Sequence, residues 1–469
     1  MYRNQLDFIA NWHSRLNRKP LVIRGARQVG KSTLVKLFAE QAGRVLNEVN
    51  LDRHHDLDSV FATKDPAKII AEIEALPHMP PISPKTLLFL DEIQAAENAM
   101  PALRYFFEER GELAVIAAGS LLEFLLSDHN FSMPVGRIEY LHMGPLVFTE
   151  YLRALNEENL LRSVQSFSLN DTISSTAHVR LLQLIRTYCF VGGMPEAVKQ
   201  YVQNRNFRDA SDVHQSIIDT YRDDFPKYIG SRNLTRMIRV FSHAAKTIGK
   251  KVKYSSFSRD DQSSTIKGDI ELLCLARVLT KVTHSHCNGL PLLADGDERV
   301  FKLLFLDVGL ANAVLGLDWS SISRMDNETL VNEGSIAEQF VGQHLLDLSA
   351  NTPSRGLHYW LREGKESNAE VDFVVALQGK IVPVEVKSGS SGSLKSLHQF
   401  VGEKQIPLAI RLDTNLPSMQ RIQTTIRIGN TSKMVTYDLI SLPLYLVEKI
   451  PAIVEAYYEK SSGSYAESP

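Results

Sequence analysis

A glycine-rich segment near the N-terminus constrains the fold more than any other feature of this sequence. The segment reads PLVIRGARQVGKSTLVKLFAEQ. The apolar residues Leu21–Ile23 predict a short strand, and the apolar spacing after Ser32 predicts an amphipathic helix. Between them, Gly25 is followed after four residues by Gly30-Lys31-Ser32. The motif therefore predicts a strand, a tight glycine-rich loop and a helix, in that order.

A loop of this kind binds phosphate groups. Its backbone amides and the start of the following helix attract negative charge, so Gly25 and Gly30 are assigned to a nucleotide site. Lys31 is expected to reach the oxygens of the β and γ phosphates, and Ser32 is expected to hold Mg²⁺. Thr33, the next residue, is assigned to the same nucleotide site. A coincidental glycine turn would not carry the complete motif between a strand and a helix.

A second apolar strand, KTLLFLDEIQ, ends in the acids Asp91 and Glu92. Together with a phosphate loop, Asp91 is expected to complete the Mg²⁺ shell, and Glu92 to orient or polarise the attacking water. An acid pair that only caps the next helix is the alternative, and it is disfavoured beside the phosphate loop. These residues predict an enzyme that binds and hydrolyses a nucleoside triphosphate.

Two further residues gain a role only through a resemblance to AAA-type ATPases. The strand LAVIAAGS places Ser120 where these enzymes keep a polar residue that contacts the γ-phosphate or its water. The segment GRIEYLHMGPLVFTEYL places Arg137 where similar ATPases have an arginine that senses the γ-phosphate or acts as a finger across a subunit boundary. A surface salt bridge explains Arg137 equally well.

The order of these elements predicts the architecture of the first two regions. Strands that alternate with helices indicate an α/β domain with a parallel sheet and the nucleotide at the carboxyl ends of its strands. We expect this P-loop domain to cover residues 1–155. Residues 156–230 have a helical pattern, with a double glycine before Pro195 as a helix-start signal, and predict a helical lid.

The next region, residues 231–320, begins with a strongly basic segment. The helix, turn, helix and strand pattern of this region predicts a winged helix, which could bind nucleic acid or a protein. Acids on its last helix, Asp269 and Glu271, are expected to weaken phosphate binding there. The segment from Arg232 to Arg259 contains no acid and eight basic residues, at positions 232, 236, 239, 246, 250, 251, 253 and 259.

Near the C-terminus, AEVDFVVALQGKIVPVEVKSG predicts a β-hairpin with its turn at 378–380. Side chains alternate along a strand, so Glu385 and Lys387 share a face, and the turn brings Asp372 close to them. Such carboxylates suit Mg²⁺ or Mn²⁺, while the lysine can position or activate water. A charged sheet edge is the alternative, but an acid within AEVDFVV is costly to embed without partners.

The same residues resemble the core of PD-(D/E)xK nucleases, in which an acid on one strand precedes an acid and a lysine on the next. Such cores usually carry a helix before the hairpin, often with a glutamate that faces the site. The segment NEGSIAEQFVGQHLLDL fits this helix, and Glu338 is the candidate third metal ligand. Ser335 to Glu338 also reads as a capping box, so a capping role for Glu338 remains open.

Composition places bounds on these assignments. A chain of 469 residues suggests about three domains, and a net charge of −2 excludes a globally basic nucleic-acid binder while leaving local patches open. The three cysteines form no close pair, which argues against disulfides or structural zinc. Without a long apolar run, no membrane span is expected. We expect a cytoplasmic protein with a disordered tail at 461–469.

Taken together, these motifs resemble a widespread prokaryotic family that joins an AAA-type ATPase to a C-terminal domain of unknown function. The resemblance also uses FVGGMPEAV and LLFLDVGLANAVLG, and covers nearly the whole chain. It implies ATP as cofactor, a P-loop first domain, a winged helix, and a restriction-endonuclease-like α/β fold over 321–460. The family is largely uncharacterised, so the resemblance supplies no biological role.

Two hypotheses about function follow from these observations. In the first, the nucleotide cycle controls a nuclease-like module that cleaves or binds DNA or RNA. In the second, the ATPase is a switch that recognises a protein partner, and the nuclease-like fold is a catalytically silent scaffold. A phosphotransferase is less consistent with the additional domains. If Arg137 acts across a subunit boundary, the protein must form a dimer or a ring.

Overall fold

The computed structural model describes residues 1–120, 122, 134, 136–229, 233–258, 260–317, 319, 334–349, 356–363, 368–387, 393–428 and 431–463. These residues form two compact units. Unit 1 contains residues 1–146 and 275–278, and unit 2 contains residues 147–274 and 279–469. The first domain was predicted to end at 155, whereas the first segment of unit 1 ends at Leu146.

Unit 1 is built from short helices and strands that alternate along the chain. Its helices are α1 Gln5–Ser14, α2 Lys31–Gln41, α3 Leu57–Phe61, α4 Pro66–Glu74 and α5 Ala99–Glu109, and its strands are β1 Leu21–Arg24, β2 Val45–Asn50, β3 Thr86–Asp91, β4 Ala114–Gly119 and β5 Glu139–His142.

The strands of unit 1 form one sheet in the order β2-β3-β4-β1-β5, with every pair parallel. Strands β3 and β4 are buried along their whole length, which matches their nearly continuous apolar sequences. Helices α4 and α5 pack their apolar residues into the core beneath these strands. The predicted parallel sheet is therefore confirmed, and the carboxyl ends of β1 and β3 carry the loops that matter for the nucleotide site.

Unit 2 begins with a group of helices and continues into a large sheet. Its helices are α6 Phe148–Ala154, α7 Glu158–Ser166, α8 Ser175–Val191, α9 Pro195–Asn204, α10 Phe207–Ile229, α11 Leu234–Lys246, α12 Ser263–Leu275, α13 Val308–Val314, α14 Gly334–Ser349, α15 Lys395–Lys404 and α16 Ile450–Gly463. Its strands are β6 Leu279–Ser285, β7 Gly296–Phe305, β8 Leu357–Arg362, β9 Ala369–Leu377, β10 Lys380–Val386, β11 Leu408–Asp413, β12 Ser418–Ile428 and β13 Thr431–Pro443.

The eight strands of unit 2 form one mixed sheet in the order β12-β13-β11-β10-β9-β8-β6-β7. The predicted winged-helix region supplies α11, a 3₁₀ turn at Tyr254–Ser256, α12 and the antiparallel pair β6–β7. Strand β6 also pairs in parallel with β8 of the predicted nuclease-like region. The expected boundary at 320 therefore does not separate two sheets. Classification of these regions as a winged helix and a nuclease-like fold stays a prediction.

The predicted hairpin is present, with β9 and β10 antiparallel and Leu377 opposite Lys380. Its turn has two residues, Gln378 and Gly379, with φ angles of 51° and 68°. Positive φ at both positions is typical of the two-residue turns that match the twist of a hairpin. Because this turn fixes the register, it also fixes which β9 residues face the end of β10.

The last helix overlaps the start of the segment that was predicted to be a disordered tail. Helix α16 continues to Gly463, so its last turn includes the first residues of the tail that was expected to be disordered from Ser461. Residues 464–469 lie outside the described residues. Among the helices that the structure describes, none has the length and apolar character needed to cross a membrane.

The loop GGMP, which connects α8 to α9, is held by a buried aspartate. Asp307, which begins α13, accepts hydrogen bonds from the amide of Gly193 at 2.6 Å and from the amide of Leu310 at 3.0 Å. Gly192 has a φ of +69°, and a Cβ atom placed on it would lie 2.1 Å from Oδ1 of Asp307. Only glycine fits this position, because any side chain would displace the carboxylate.

We expect Gly192→Ala to lower the free energy of unfolding by roughly 2–4 kcal/mol, because it adds backbone strain and disturbs a buried carboxylate. Gly316→Ala is a matched control, since Gly316 has a φ of +74° and open space around its Cβ position. The control should lose only about 1–2 kcal/mol. Denaturant titration followed by circular dichroism measures both. Equal losses in the two variants would contradict a special role for the Gly192–Asp307 contact.

Candidate functional site

The phosphate loop lies between β1 and α2 of unit 1, as predicted. A Cβ atom on Gly25 would lie 2.2 Å from the carbonyl oxygen of Met143, so this position requires glycine. Gly30 has a φ of +92° and directly precedes α2, which begins at Lys31. Thr33 is exposed in the first turn of this helix. The loop therefore presents backbone amides at a helix N-terminus, where an anion is stabilised.

Lys31 is buried and bends back over its own loop. Its ammonium donates hydrogen bonds to the carbonyl oxygens of Gly25 at 3.1 Å and Ala26 at 2.8 Å. These contacts hold the ammonium at the loop that is expected to cradle phosphate. A bound nucleotide would offer phosphate oxygens to the same group, as predicted for Lys31.

Ser32 and Asp91 meet beside this loop. The hydroxyl of Ser32 donates to Oδ2 of Asp91 at 2.9 Å, and the amide of Glu92 donates to Oδ1 at 3.1 Å. Burial raises the pKa of Asp91, while the hydrogen bond from Ser32 opposes that shift. A hydroxyl and a carboxylate oxygen are the hard donors that Mg²⁺ prefers, so these two residues fit the predicted metal.

Glu92 is held by two neighbours in unit 1. Its Oε2 accepts hydrogen bonds from Nε2 of Gln94 at 2.5 Å and from the hydroxyl of Ser120 at 3.2 Å. The backbone of Glu92 is left-handed, with a φ of 50°. A Cβ atom on Gly119 would lie 2.2 Å from Oε1 of Gln94, which explains the glycine before Ser120. The candidate water-orienting glutamate is therefore positioned by Gln94 and Ser120.

Arg137 lies on the surface of unit 1, one residue after Gly136. Its Nε atom donates to Oε1 of Glu108 at 2.9 Å, and its guanidinium lies 5.8 Å from the ring centre of Phe107. The hydrogen bond from Arg137 lowers the pKa of Glu108. Its contacts therefore match the salt-bridge alternative. A role as a sensor or finger stays a prediction.

Arg3 contacts the phosphate loop, and the sequence reasoning missed it. Its guanidinium donates to the carbonyl oxygens of Val29 at 2.9 Å and Gly144 at 2.8 Å, and it is almost fully buried. It also approaches the carbonyl of Pro145 at 3.3 Å. Arg3 thus ties the loop before Gly30 to the last residues of unit 1. No motif marks an isolated arginine so close to the N-terminus.

Six charged side chains of unit 2 meet beside the β9–β10 hairpin. They include every residue predicted for the nuclease-like site and two that the sequence reasoning missed, Lys302 and Glu370. We call this group the carboxylate–lysine cluster, and it consists of Lys302, Glu338, Glu370, Asp372, Glu385 and Lys387.

Within the cluster, Asp372 reaches across the hairpin. Its Oδ2 accepts a hydrogen bond from the amide of Val386 at 2.8 Å. Lys387 donates to Oε1 of Glu385 at 2.6 Å, while Oε2 of Glu385 is buried without a hydrogen-bond partner among the described residues. The predicted strand alternation therefore does bring these three residues to one place.

Lys302, on β7, is the most buried cation of the cluster, with 2% of its side chain exposed. Its ammonium lies 2.6 Å from Glu370, 3.0 Å from Glu338 and 3.4 Å from Asp372. Burial lowers the pKa of Lys302, but the charges of these carboxylates outweigh burial and raise it overall. Lys302 therefore carries a full positive charge at any physiological pH.

Glu338 faces the cluster from α14. The helix begins at Gly334, so Ser335 lies within its first turn, and the Glu338 carboxylate accepts from Lys302. The capping alternative therefore does not describe this contact. Burial and the nearby charge of Asp372 raise the pKa of both Glu338 and Glu385 to about 8.

Lys302 lies among the predicted metal ligands of the cluster, and a metal site there stays a prediction. An ammonium, not an open space, lies among the carboxylates of Glu338, Glu370 and Asp372. Among the residues that the structure describes, no three Asp, Glu, His or Cys side chains are arranged to hold a metal ion. The predicted ligands Asp372, Glu385 and Glu338 are close together, but lysines neutralise them.

The basic segment also differs from the expectation. Asp269 is fully buried and pairs with Arg236 at 2.6 Å, so it cannot repel phosphate at the surface of α12. Asp269 lies on the same helix face as the buried Ile266, Ile270 and Leu273, so the expectation that it weakens phosphate binding is wrong. Arg232 and Arg259 lie outside the described residues. The exposed lysines of the segment are Lys246, Lys250, Lys251 and Lys253.

Comparisons with known families divide the chain into three parts. Residues 17–152 match a family described as an AAA domain. Residues 182–321 and 333–428 match two families described as domains of unknown function, DUF8612 and DUF4143. None of the curated proteins matches the chain.

Several solved structures show a weak likeness. The Thermotoga maritima RuvB Holliday junction branch migration motor is 14% identical, with 59% of this chain and 87% of that chain covered and a TM-score of 0.27. AMPPCP-bound DnaA from Aquifex aeolicus is 11% identical, with 59% and 90% covered and a TM-score of 0.28. C. elegans PCH-2 is 9% identical, with 43% and 62% covered and a TM-score of 0.26. Such scores add nothing to the fold assignment.

The AAA assignment rests on the matched segment and on the residues within it. Residues 17–152 include the phosphate loop, Asp91, Glu92 and Ser120, and within this segment Ser32 contacts Asp91 and Ser120 contacts Glu92. The chain therefore carries an AAA-type P-loop domain, a class that uses ATP with a divalent metal, usually Mg²⁺.

We expect Gln94→Ala to reduce ATP turnover roughly tenfold to hundredfold, because a glutamate that is no longer positioned orients water poorly. The affinity for ATP should stay unchanged, since Gln94 contacts Glu92 and not the phosphate loop. Steady-state ATPase kinetics and nucleotide titration measure the two effects. Gln165→Ala, on α7 of unit 2, is a control that should alter neither. Normal turnover by Gln94→Ala would contradict the positioning role.

Proposed function

We propose that this protein hydrolyses ATP and uses the nucleotide cycle to control a C-terminal nuclease-like module that binds nucleic acid. The observation that carries the first half is the contact of Ser32 with Asp91, next to a Glu92 that Ser120 and Gln94 hold in place. The second half is supported by lysines beside the carboxylate–lysine cluster.

The residues of unit 1 can each perform one part of ATP hydrolysis. Lys31 and the loop amides bind the phosphates, and Ser32 and Asp91 would hold Mg²⁺. When bound, Mg²⁺ neutralises charge that develops on the phosphate oxygens. Glu92 accepts a hydrogen bond from the attacking water and aligns it, while Ser120 fixes the orientation of that carboxylate.

Arg3 offers a physical link between the phosphate loop and the chain that leads out of unit 1. It binds the carbonyl of Val29 in the loop and the carbonyl of Gly144, two residues before unit 1 ends at Leu146. A bound phosphate that shifts the loop would also shift Arg3, because Arg3 donates hydrogen bonds to both Val29 and Gly144. A change at the phosphate loop can thus alter the conformation of the segment that continues from Gly144 into unit 2.

The lysines at the end of α11 support binding of a phosphate backbone. Lys246, Lys250 and Lys253 are exposed, and Lys251 is exposed but pairs with Glu363. Within the same turn, a Cβ atom on Gly249 would lie 3.0 Å from Cα of Ser335 and 3.4 Å from the Glu338 carboxyl carbon. The basic turn therefore borders the carboxylate–lysine cluster, where a nucleic acid would have to bind.

A second function is favoured by the position of Lys302. Because the Lys302 ammonium lies among the carboxylates, the nuclease-like fold would be a catalytically silent scaffold. The ATPase would then act as a switch that recognises a protein partner. This candidate and the first differ in their need for nucleic acid. If no DNA or RNA binds in any nucleotide state, the second candidate replaces the first.

We expect Lys31→Ala and Glu92→Gln each to reduce ATP turnover by at least about a hundredfold, for different reasons. Lys31→Ala loses phosphate binding, so its affinity for ATP falls. Glu92→Gln keeps Lys31 and the loop and should still bind ATP, since its amide oxygen can accept the hydrogen bonds that Gln94 and Ser120 donate to the carboxylate. Fluorescent nucleotide binding and phosphate release measure the two properties. Unchanged turnover in either variant would contradict the assigned site.

We expect simultaneous replacement of Lys246, Lys250 and Lys253 by alanine to weaken nucleic-acid binding and to reduce its salt dependence by a slope of about 2–3. Replacement of the exposed Lys199, Lys380 and Lys433 of the same unit is the control, because it removes the same charge elsewhere. Fluorescence anisotropy with labelled DNA and RNA at several salt concentrations measures this. An equal loss in the control would show that only net charge matters.

A further inference from the structure

The carboxylate–lysine cluster contains its own cation. Lys302 has three N–H donors, and three different carboxylates lie within 3.4 Å of its nitrogen: Glu370, Glu338 and Asp372. Its ammonium also lies 5.6 Å from the ring centre of Tyr359. Each of the three N–H donors of Lys302 thus has one carboxylate as its acceptor, and the ammonium is shielded from solvent.

The remaining carboxylate of the cluster lacks a complete set of partners. Glu385 is 3% exposed, and its Oε2 is buried without a hydrogen-bond partner among the described residues. A buried carboxylate oxygen without a partner is costly, and a cation is the ligand that would satisfy it. Four carboxyl groups therefore lie close together, and the cation among three of them is the Lys302 ammonium of the protein itself.

A divalent ion and the Lys302 ammonium cannot share these carboxylates. An ion bound to Glu338 and Asp372 would lie within a few ångströms of the ammonium, and the repulsion of the two cations would be strong in a buried site. The cluster has four carboxyl groups and two ammonium groups, so removal of Lys302 would leave the four carboxyl groups with only the Lys387 ammonium.

We propose that Lys302 acts as a built-in cation that excludes divalent metal from the carboxylates of Glu338, Glu370 and Asp372. The nuclease-like module then binds its partner without metal-dependent cleavage. Replacement of Lys302 by a neutral side chain converts the cluster into a site for a hard divalent cation such as Mn²⁺. This inference concerns the same module as the proposed function, but it requires neither ATP turnover nor nucleic-acid binding to be true.

The test is Mn²⁺ binding to the full-length protein without nucleotide, measured by the loss of the free Mn²⁺ signal in electron paramagnetic resonance. All proteins carry Ser32→Ala, so that the nucleotide site contributes no hydroxyl ligand. We expect Lys302→Met to bind one Mn²⁺ per chain at least about tenfold more tightly than the parent protein. Addition of Asp372→Asn to that variant should abolish the gain. Lys281→Met, on the neighbouring strand β6, is the matched control and should show no gain.

Stability supplies a second readout of the same event. Lys302→Met and Lys302→Gln leave buried carboxylates without their cation, so both should melt at a lower temperature than the parent, and Mn²⁺ should restore part of the loss. The parent should show no such shift. Binding of one Mn²⁺ by the parent that Asp372→Asn removes would overturn the proposal. Absence of any gain in both Lys302 variants would overturn it as well. Failure of ATP hydrolysis or of nucleic-acid binding would leave these results unchanged.

Discussion

The need to neutralise buried carboxylates is the constraint on which this structure depends. An ionised acid removed from water is tolerated only when a cation or several hydrogen-bond donors replace its solvent. Asp269 is paired with Arg236, Asp307 accepts from the amides of Gly193 and Leu310, and Asp91 accepts from Ser32. The same requirement explains the carboxylate–lysine cluster, where four acids lie close to two lysines.

These neutralising contacts also connect the helices and strands of unit 2. Asp307 begins α13, while its partner Gly193 lies between α8 and α9, so one carboxylate joins three helices. Burial raises the pKa of Asp307 to about 6, and its amide donors oppose the shift. Lys302 similarly joins β7 to β9 and α14. Loss of any one partner would leave a buried charge, so such contacts specify how the elements pack.

Features encoded by contiguous residues could be predicted from the sequence. The phosphate loop and the strand before Asp91 can each be recognised from about ten contiguous residues. The register of the β9–β10 hairpin follows from its two-residue turn. Contacts between distant segments could not be predicted. The parallel pairing of β6 with β8 joins residues far apart in the chain, and Arg3 reaches the phosphate loop with no local signal.

Two omissions could have been avoided with the sequence alone. Lys302 stands between Phe301 and Leu303 in an apolar strand, and a lysine there needs a buried partner for the same reason as Asp372 does. Asp269 lies at helical spacing with Ile266, Ile270 and Leu273, which already places it on the buried face of α12. In both cases a charge within an apolar pattern was the signal.

We propose that the nucleotide state of the AAA domain controls the binding of nucleic acid by the C-terminal module. The direct measurement is the dissociation constant for labelled DNA and RNA in saturating ATP, for Glu92→Gln, which holds ATP, and for Lys31→Ala, which does not. We expect dissociation constants that differ by at least about tenfold between the two variants in ATP and that are the same when no nucleotide is added. Equal constants under both conditions would contradict it.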